Sequence, residues 1–206
     1  MELIAVPLGE LQANAYLAIA GADVVVVDPG GEGEALAAAL SERGLELKAI
    51  WLTHAHFDHV GGLAALRRSA PGIPVYMHHA DEPVLRAAAA AAARWGVRIE
   101  QPPIDYVAVA HGETLTAGAI RAVALHTPGH APGHLAFHFA DAGAVLSGDA
   151  LFNGSIGRTD LPLGDHDELI ASIRRELLGL PPATLVYPGH GGPTTIGAEA
   201  AGNPFL

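Results

Sequence analysis

The chain has 206 residues, half of them apolar, with 22 acidic against 11 basic side chains and a formal net charge of −11. That length suits one substantial domain whose core needs no covalent staples, and the absence of cysteine excludes disulfides and thiolate chemistry. The acidic balance repels a phosphate backbone, and no apolar run approaches the roughly 20 residues that span a bilayer.

Taken in chain order, β-branched apolar runs alternate with alanine-rich, helix-favouring ones. Strands are expected over residues 4–7, 15–19 and 24–27, then a helix over 33–43 and a strand over 49–52. A helix over 63–69, a strand over 75–77 and a helix over 82–95 follow. The last of these is almost all alanine from Leu85 onward, which is strong propensity without a sharp amphipathic stripe. Strands are expected next at 106–109, 120–125, 135–139 and 144–146, a helix at 167–178 and a strand at 184–187. There is an internal echo: a strand ending in Asp28-Pro29-Gly30-Gly31 leads into a helix, and so does one ending in Ser147-Gly148-Asp149. This order predicts an α/β protein of two sheets covered by helices in layers. No linker-like stretch divides it, so residues 1–206 are read as a single domain.

The chemistry gathers at strand ends. Six of the twelve histidines, with Asp58 and Asp149, lie in four clusters, each just past an apolar strand. They are Thr53-His54-Ala55-His56-Phe57-Asp58-His59, His126-Thr127-Pro128-Gly129-His130, Ser147-Gly148-Asp149 and Pro188-Gly189-His190. Loops at strand ends converge on one edge while the sheet holds them in place. Neutral imidazole and carboxylate are ligands of choice for zinc and serve iron and manganese too. His54 and His56 aim at one ion, and Asp58 and His59 serve a second. His130 completes the first set and His190 the second, while Asp149 bridges by offering one oxygen to each ion.

These clusters resemble the metallo-β-lactamase superfamily, in this chain's order, from Asn14 to His190. The resemblance implies a four-layer αβ/βα sandwich of two mixed sheets flanked by helices, with the metals at one edge. It implies His54, His56, His130 and Asp149 as ligands of one divalent ion, and Asp58, His59, His190 and the shared Asp149 as ligands of the other. Zinc is the first expectation, with iron or manganese as alternatives. The segment from Leu151 to Asp160, Phe-Asn-Gly-Ser-Ile-Gly-Arg-Thr-Asp at its heart, is similar to the compact bacterial type II glyoxalase-like (hydroxyacylglutathione hydrolase-like) enzymes. The lack of cysteine argues against the secreted β-lactamases that keep one beside the second metal. After His190 no residue is basic, so the Lys and Arg with which longer relatives recognise glutathione have no counterpart.

The resemblance further implies a hydroxide bridging the two ions that attacks a thioester carbonyl, as in S-D-lactoylglutathione, releasing a hydroxy acid and a thiol. Asp58 would orient that hydroxide and accept its proton. Asp28 either holds a ligand imidazole or is a turn residue. Arg158 either binds a substrate carboxylate or, as expected, ties its loop to Asp160. His78 and His79 are expected at solvent-facing turn positions, and His111, His126, His134, His138 and His166 at surface or strand positions. The partner expected is a small thioester, with no nucleic acid and no membrane; a start without a basic or long apolar leader points to the cytoplasm. No pattern specifies an oligomeric state. The alternatives are a persulfide dioxygenase with one iron among the same residues, a lactonase or phosphodiesterase on the same ion pair, and a metal site without catalysis.

Overall fold

The computed structural model describes every residue, Met1–Leu206. Its contacts divide it into two compact units, one of Met1–Ala108 with Thr116–Ile120, the other of Val109–Leu115 with Arg121–Leu206. In the first, strands β1 (Glu2–Leu8), β2 (Ala13–Ala20), β3 (Asp23–Val27), β4 (Glu46–Trp51), β5 (Val75–Met77) and β6 (Val107–Ala108) form one sheet in chain order. β1, β2 and β3 pair antiparallel, while β3, β4, β5 and β6 run parallel. The four valines Val24, Val25, Val26 and Val27 are wholly buried, so β3 is covered on both faces and reads as a continuous apolar run.

Helices α1 (Gly33–Glu42), α2 (Phe57–Val60), α3 (Leu63–Ser69) and α4 (Glu82–Arg94) belong to the same unit. α4 buries Leu85, Ala88 and Ala92, a seam at i, i+3 and i+7. The sequence shows no sharp stripe there because alanine occupies the outer face as well as the inner one. The parallel neighbours β3, β4 and β5 all end at the same edge of their sheet. Asp28, the His54–His59 segment and His78 follow those three ends.

The second sheet has the order β14-β13-β10-β9-β8-β7. Its strands are β7 (Thr114–Ala117), β8 (Ile120–His126), β9 (Leu135–Phe139), β10 (Ala144–Gly148), β13 (Leu185–Pro188) and β14 (Thr194–Thr195). A small hairpin, β11 (Leu151–Phe152) with β12 (Ser155–Ile156), follows β10. Helix α5 (His166–Ser172) runs on into a π-helical turn, Ile173–Leu177, and α6 (Ile196–Gly202) follows β14. β10 and β13 are parallel, and β8 is antiparallel to β9, which is antiparallel to β10. The ends of β8, β10 and β13 therefore share an edge, and His130, Asp149 and His190 follow them. Both sheets are mixed and carry helices, as expected of the α/β class. No helix is long and apolar enough to cross a membrane.

The strands at 75–77 and 135–139 and the helix at 63–69 fall at their expected limits. β7, β11, β12, β14, α2 and α6 were not foreseen. Most are too short for periodicity to register, and α6 carries Gly197 and Gly202, which depress helix propensity.

Candidate metal centre

In the first unit the centre of the arrangement is Asp28, 1% exposed and left-handed at φ 52. Asp tolerates that conformation better than most side chains because a short polar group bonds locally. Its Oδ1 accepts from the Thr53 amide at 2.7 Å. Its Oδ2 accepts from Thr53 Oγ1 at 2.6 Å and faces His59 Nδ1 at 3.0 Å. A carboxylate only accepts, so the His59 proton sits on Nδ1 and the Nε2 lone pair is left for a cation. Having given its proton to Asp28, Thr53 Oγ1 in turn accepts from His54 Nδ1 at 3.0 Å. One buried carboxylate thus sets the tautomer of His59 directly and of His54 through a hydroxyl.

The imidazoles cluster tightly. His54 lies 4.2 Å from His59 and 4.8 Å from His56, ring centre to ring centre. One potential ligand atom each of Asp28, His54 and His59 falls within 4.8 Å of the others. Asp58 Oδ2 lies 3.9 Å from His59 Nε2, and the Asp58 side chain keeps 15% exposure where that of His59 has none. Backbone packing holds this loop. A Cβ on Gly30 would lie 1.9 Å from the Asp58 carbonyl oxygen, and one on Gly62 2.4 Å from that of Gly31. The Gly62 amide also bonds the Pro29 carbonyl at 2.8 Å. Only glycine lets the turn after β3 seat directly on the backbone that carries Asp58 and His59.

In the second unit, His130 Nε2 and His190 Nε2 each lie 3.6 Å from Asp149 Oδ2. His130 donates from Nδ1 to the Arg158 carbonyl at 2.8 Å, which turns its Nε2 lone pair toward that carboxylate. Two ligand atoms on one tetrahedral zinc, at about 2.0–2.1 Å each, stand about 3.4 Å apart. The 3.6 Å spacings of His130 and His190 from Asp149 Oδ2 are close to that distance. The sequence reading expected each Asp149 oxygen to face one ion; here the same Oδ2 faces both imidazoles. The donor set of imidazole and carboxylate with fixed tautomers fits divalent cations.

The residues around these sets are informative. His134, expected at a surface or strand position, is fully buried. Its Nε2 accepts from the Asp149 amide at 3.0 Å, so its Nδ1 carries the proton and donates to Thr127 Oγ1 at 2.7 Å. Asp81, which no motif marked, is also fully buried and accepts from the Ala55 amide at 2.7 Å, in the middle of the His54–His59 loop. Its signal was position: it follows β5, a strand parallel to β4. His78 is buried rather than solvent-facing, its Nδ1 taking the Ala80 amide, whereas His79 is exposed. His138 is half-buried, and burial pushes its pKa down from 6.5. Arg158 binds Asp160 through two bonds of 2.7 Å, the tie to its own loop. His111 and His166 are exposed, and His126 bonds the Pro132 carbonyl.

Known proteins share this architecture. The family model of the metallo-β-lactamase superfamily matches residues 8–190. The probable metallo-hydrolase YqgX of Bacillus subtilis is 43% identical over 97% of this chain and 95% of its own length. The hydroxyacylglutathione hydrolase GloC of Haemophilus influenzae is 39% identical over 89% of this chain and 87% of its own. Among solved structures, TTHA1623 in a di-iron-bound form superposes with a TM-score of 0.91 at 49% identity, covering 98% of this chain and 100% of that one. The BLEG-1 B3 metallo-β-lactamase superposes with a TM-score of 0.91 at 42% identity, covering 100% of this chain and 99% of its own. The match runs through every strand-end cluster from Asp28 to His190, and on that ground the chain belongs to the metallo-β-lactamase superfamily and has its fold.

Proposed function

We propose that this chain is a hydrolase working with two divalent ions on acyl-thioesters of the S-D-lactoylglutathione kind, giving a hydroxy acid and a free thiol. The observation that carries the reading is Asp149 Oδ2, 3.6 Å from the Nε2 atoms of both His130 and His190. A carboxylate that close to both imidazoles would be the ligand common to the two ions. In this reading His54, His56, His130 and Asp149 hold one ion, and Asp58, His59, His190 and Asp149 the other. Zinc suits these ligands, and iron is supported by the di-iron form of TTHA1623. The name of GloC supports a hydroxyacyl-thioester as substrate.

Bound ions of this kind lower the pKa of water toward roughly 7 and take up negative charge on an acyl oxygen. The chain does the rest. Asp28 keeps the Nδ1 atoms of His59 and His54 protonated, so both rings hold one orientation through the reaction. His134 holds the Asp149 amide and so the carboxylate that both sets share. Asp58, the more exposed of the two acids proposed for the second ion, orients the attacking water and takes its proton at a carboxylate oxygen. A thiolate leaves readily, so no strong general acid is required.

The test is metal analysis alongside anaerobic turnover of S-D-lactoylglutathione, with a β-lactam assayed in parallel. About two metal equivalents per chain and thiol release without oxygen are expected. One iron with oxygen uptake on glutathione persulfide, or turnover of the β-lactam alone, would overturn the reading.

A further inference from the structure

A pocket of about 220 Å³ lies in the first unit with Asp58 in its wall. Its floor is the backbone of Gly30, Gly31 and Gly61, which tolerates no side chain: a Cβ on Gly61 would lie 2.5 Å from the Gly30 carbonyl oxygen. Leu11, Phe57 and Ile99 give it apolar sides. Arg98 is its one cation, and Glu10 and Glu32 also line it.

The charges are unevenly committed. Arg67, Arg68 and Arg86, in the same unit, are each engaged by a carboxylate; Arg43, Arg94 and Arg98 are not, and of these three Arg98 alone lines the pocket. Glu32 accepts from the Gly9 amide at 2.8 Å. Arg98 and Glu10 are exposed, and neither has a hydrogen bond or ion pair within the chain, with each other or with anything else. A simple anion entering this pocket meets Arg98 but is opposed by Glu10. An α-amino-acid head satisfies both, its carboxylate on the guanidinium and its ammonium on the glutamate.

We propose that this pocket is a specificity site for a peptidic thiol ester, with Arg98 pairing with the carboxylate and Glu10 with the ammonium of an amino-acid head. The inference rests on the thioester reading for its place in catalysis, since Asp58 belongs both to the pocket wall and to the ligand set proposed above. It also supplies a basic contact for the substrate from a loop after α4, in a chain with no basic residue beyond His190.

The test is equilibrium binding to the metal-loaded protein, read by tryptophan fluorescence. Of the two tryptophans, Trp51 is fully buried, whereas Trp95 is 53% exposed and its ring centre lies 6.4 Å from that of Phe57 in the pocket wall. The probes are S-methylglutathione, a thioether that hydrolysis leaves intact, and its diethyl ester, which keeps the ammonium and loses both carboxylate charges. Arg98→Gln is expected to weaken S-methylglutathione about tenfold and leave the diethyl ester unchanged, with Arg98→Lys recovering part of the loss. Glu10→Gln is expected to weaken both probes. No binding by the unaltered protein, or equal binding of S-methylglutathione by it and by Arg98→Gln, would overturn the proposal. Thioester turnover is measured on the same samples. Binding without turnover removes the thioester reading and keeps the pocket; turnover with unaltered binding in the variants does the reverse.

Discussion

At the scale of single residues, Asp28 and His134 do most to orient their neighbours. Asn at position 28 keeps the left-handed backbone and much of the side chain's shape, but it removes the charge and turns one acceptor into a donor. His59 then loses the group that fixes its proton on Nδ1, and Thr53 loses one of its two bonds. Asp28→Asn is expected to lower metal affinity by about 10–100-fold, measured by competition against a chromophoric chelator. Affinity equal to that of the unaltered protein would mean that Asp28 is only a turn residue. His134→Leu strips the acceptor from the buried Asp149 amide and is expected to cost about 1–3 kcal/mol in urea unfolding of the metal-free protein. A change under about 0.5 kcal/mol would show that the amide finds another partner. The sequence distinguishes the His54–His59 histidines by their spacing, and Asp28 by its place at a strand end. It does not distinguish His134 from an ordinary strand histidine, because its importance lies in a bond to Asp149, 15 residues away.

At the scale of elements, two loops are held by contacts that spacing alone hides. The turn after β3 rests on the α2 backbone through glycines, so Gly30→Ala, with its Cβ 1.9 Å from the Asp58 carbonyl, must push that segment away. The expected outcome is loss of metal from the purified protein together with a stability loss of several kcal/mol, roughly 3 or more. Full metal content in a well-folded Gly30→Ala protein would contradict it. The loop after β12 is tied differently. The Arg158 guanidinium holds the Asp160 carboxyl down at about 2, below its ordinary 3.8. A lowered folded pKa means that this pairing is complete above pH 3.8 and is lost only as pH falls through about 2. Asp160→Asn should therefore change the height of the pH–activity profile by at most about fivefold and leave its shape above pH 3.8 as it was, since the pair is exposed. A shifted acid limb would assign Asp160 a part in the chemistry. The Gly-Arg-Thr-Asp segment was legible as a motif. That the Arg158 carbonyl, and not its side chain, holds His130 was not, because a backbone acceptor leaves no trace in residue identity.

At the scale of the whole chain, the α/β class and two helix-covered sheets followed from punctuated apolar runs, and the resemblance supplied the sandwich and the mixed strand directions. The division of the proposed ligands is less apparent from the order of motifs: four stand in the first compact unit and three in the second. If the ions are bound as proposed, their binding energy is available only to the folded chain and adds to its stability by mass action, about 4 kcal/mol for each ion when free metal is 1,000 times its dissociation constant. In a protein of this length, 1 kcal/mol corresponds to about 2–4 °C in Tm. Chelation is thus expected to lower Tm by about 8–16 °C for each ion removed. Asp149→Asn, which weakens the one oxygen facing both His130 and His190, should melt near the chelated protein and respond little to added metal. The measurement is calorimetry of both proteins with and without chelator, with metal content determined on each sample. An unaltered protein that carries two metal equivalents and melts at the same temperature after losing them would show that the unfolded chain holds the ions as tightly as the folded one, and would overturn the prediction.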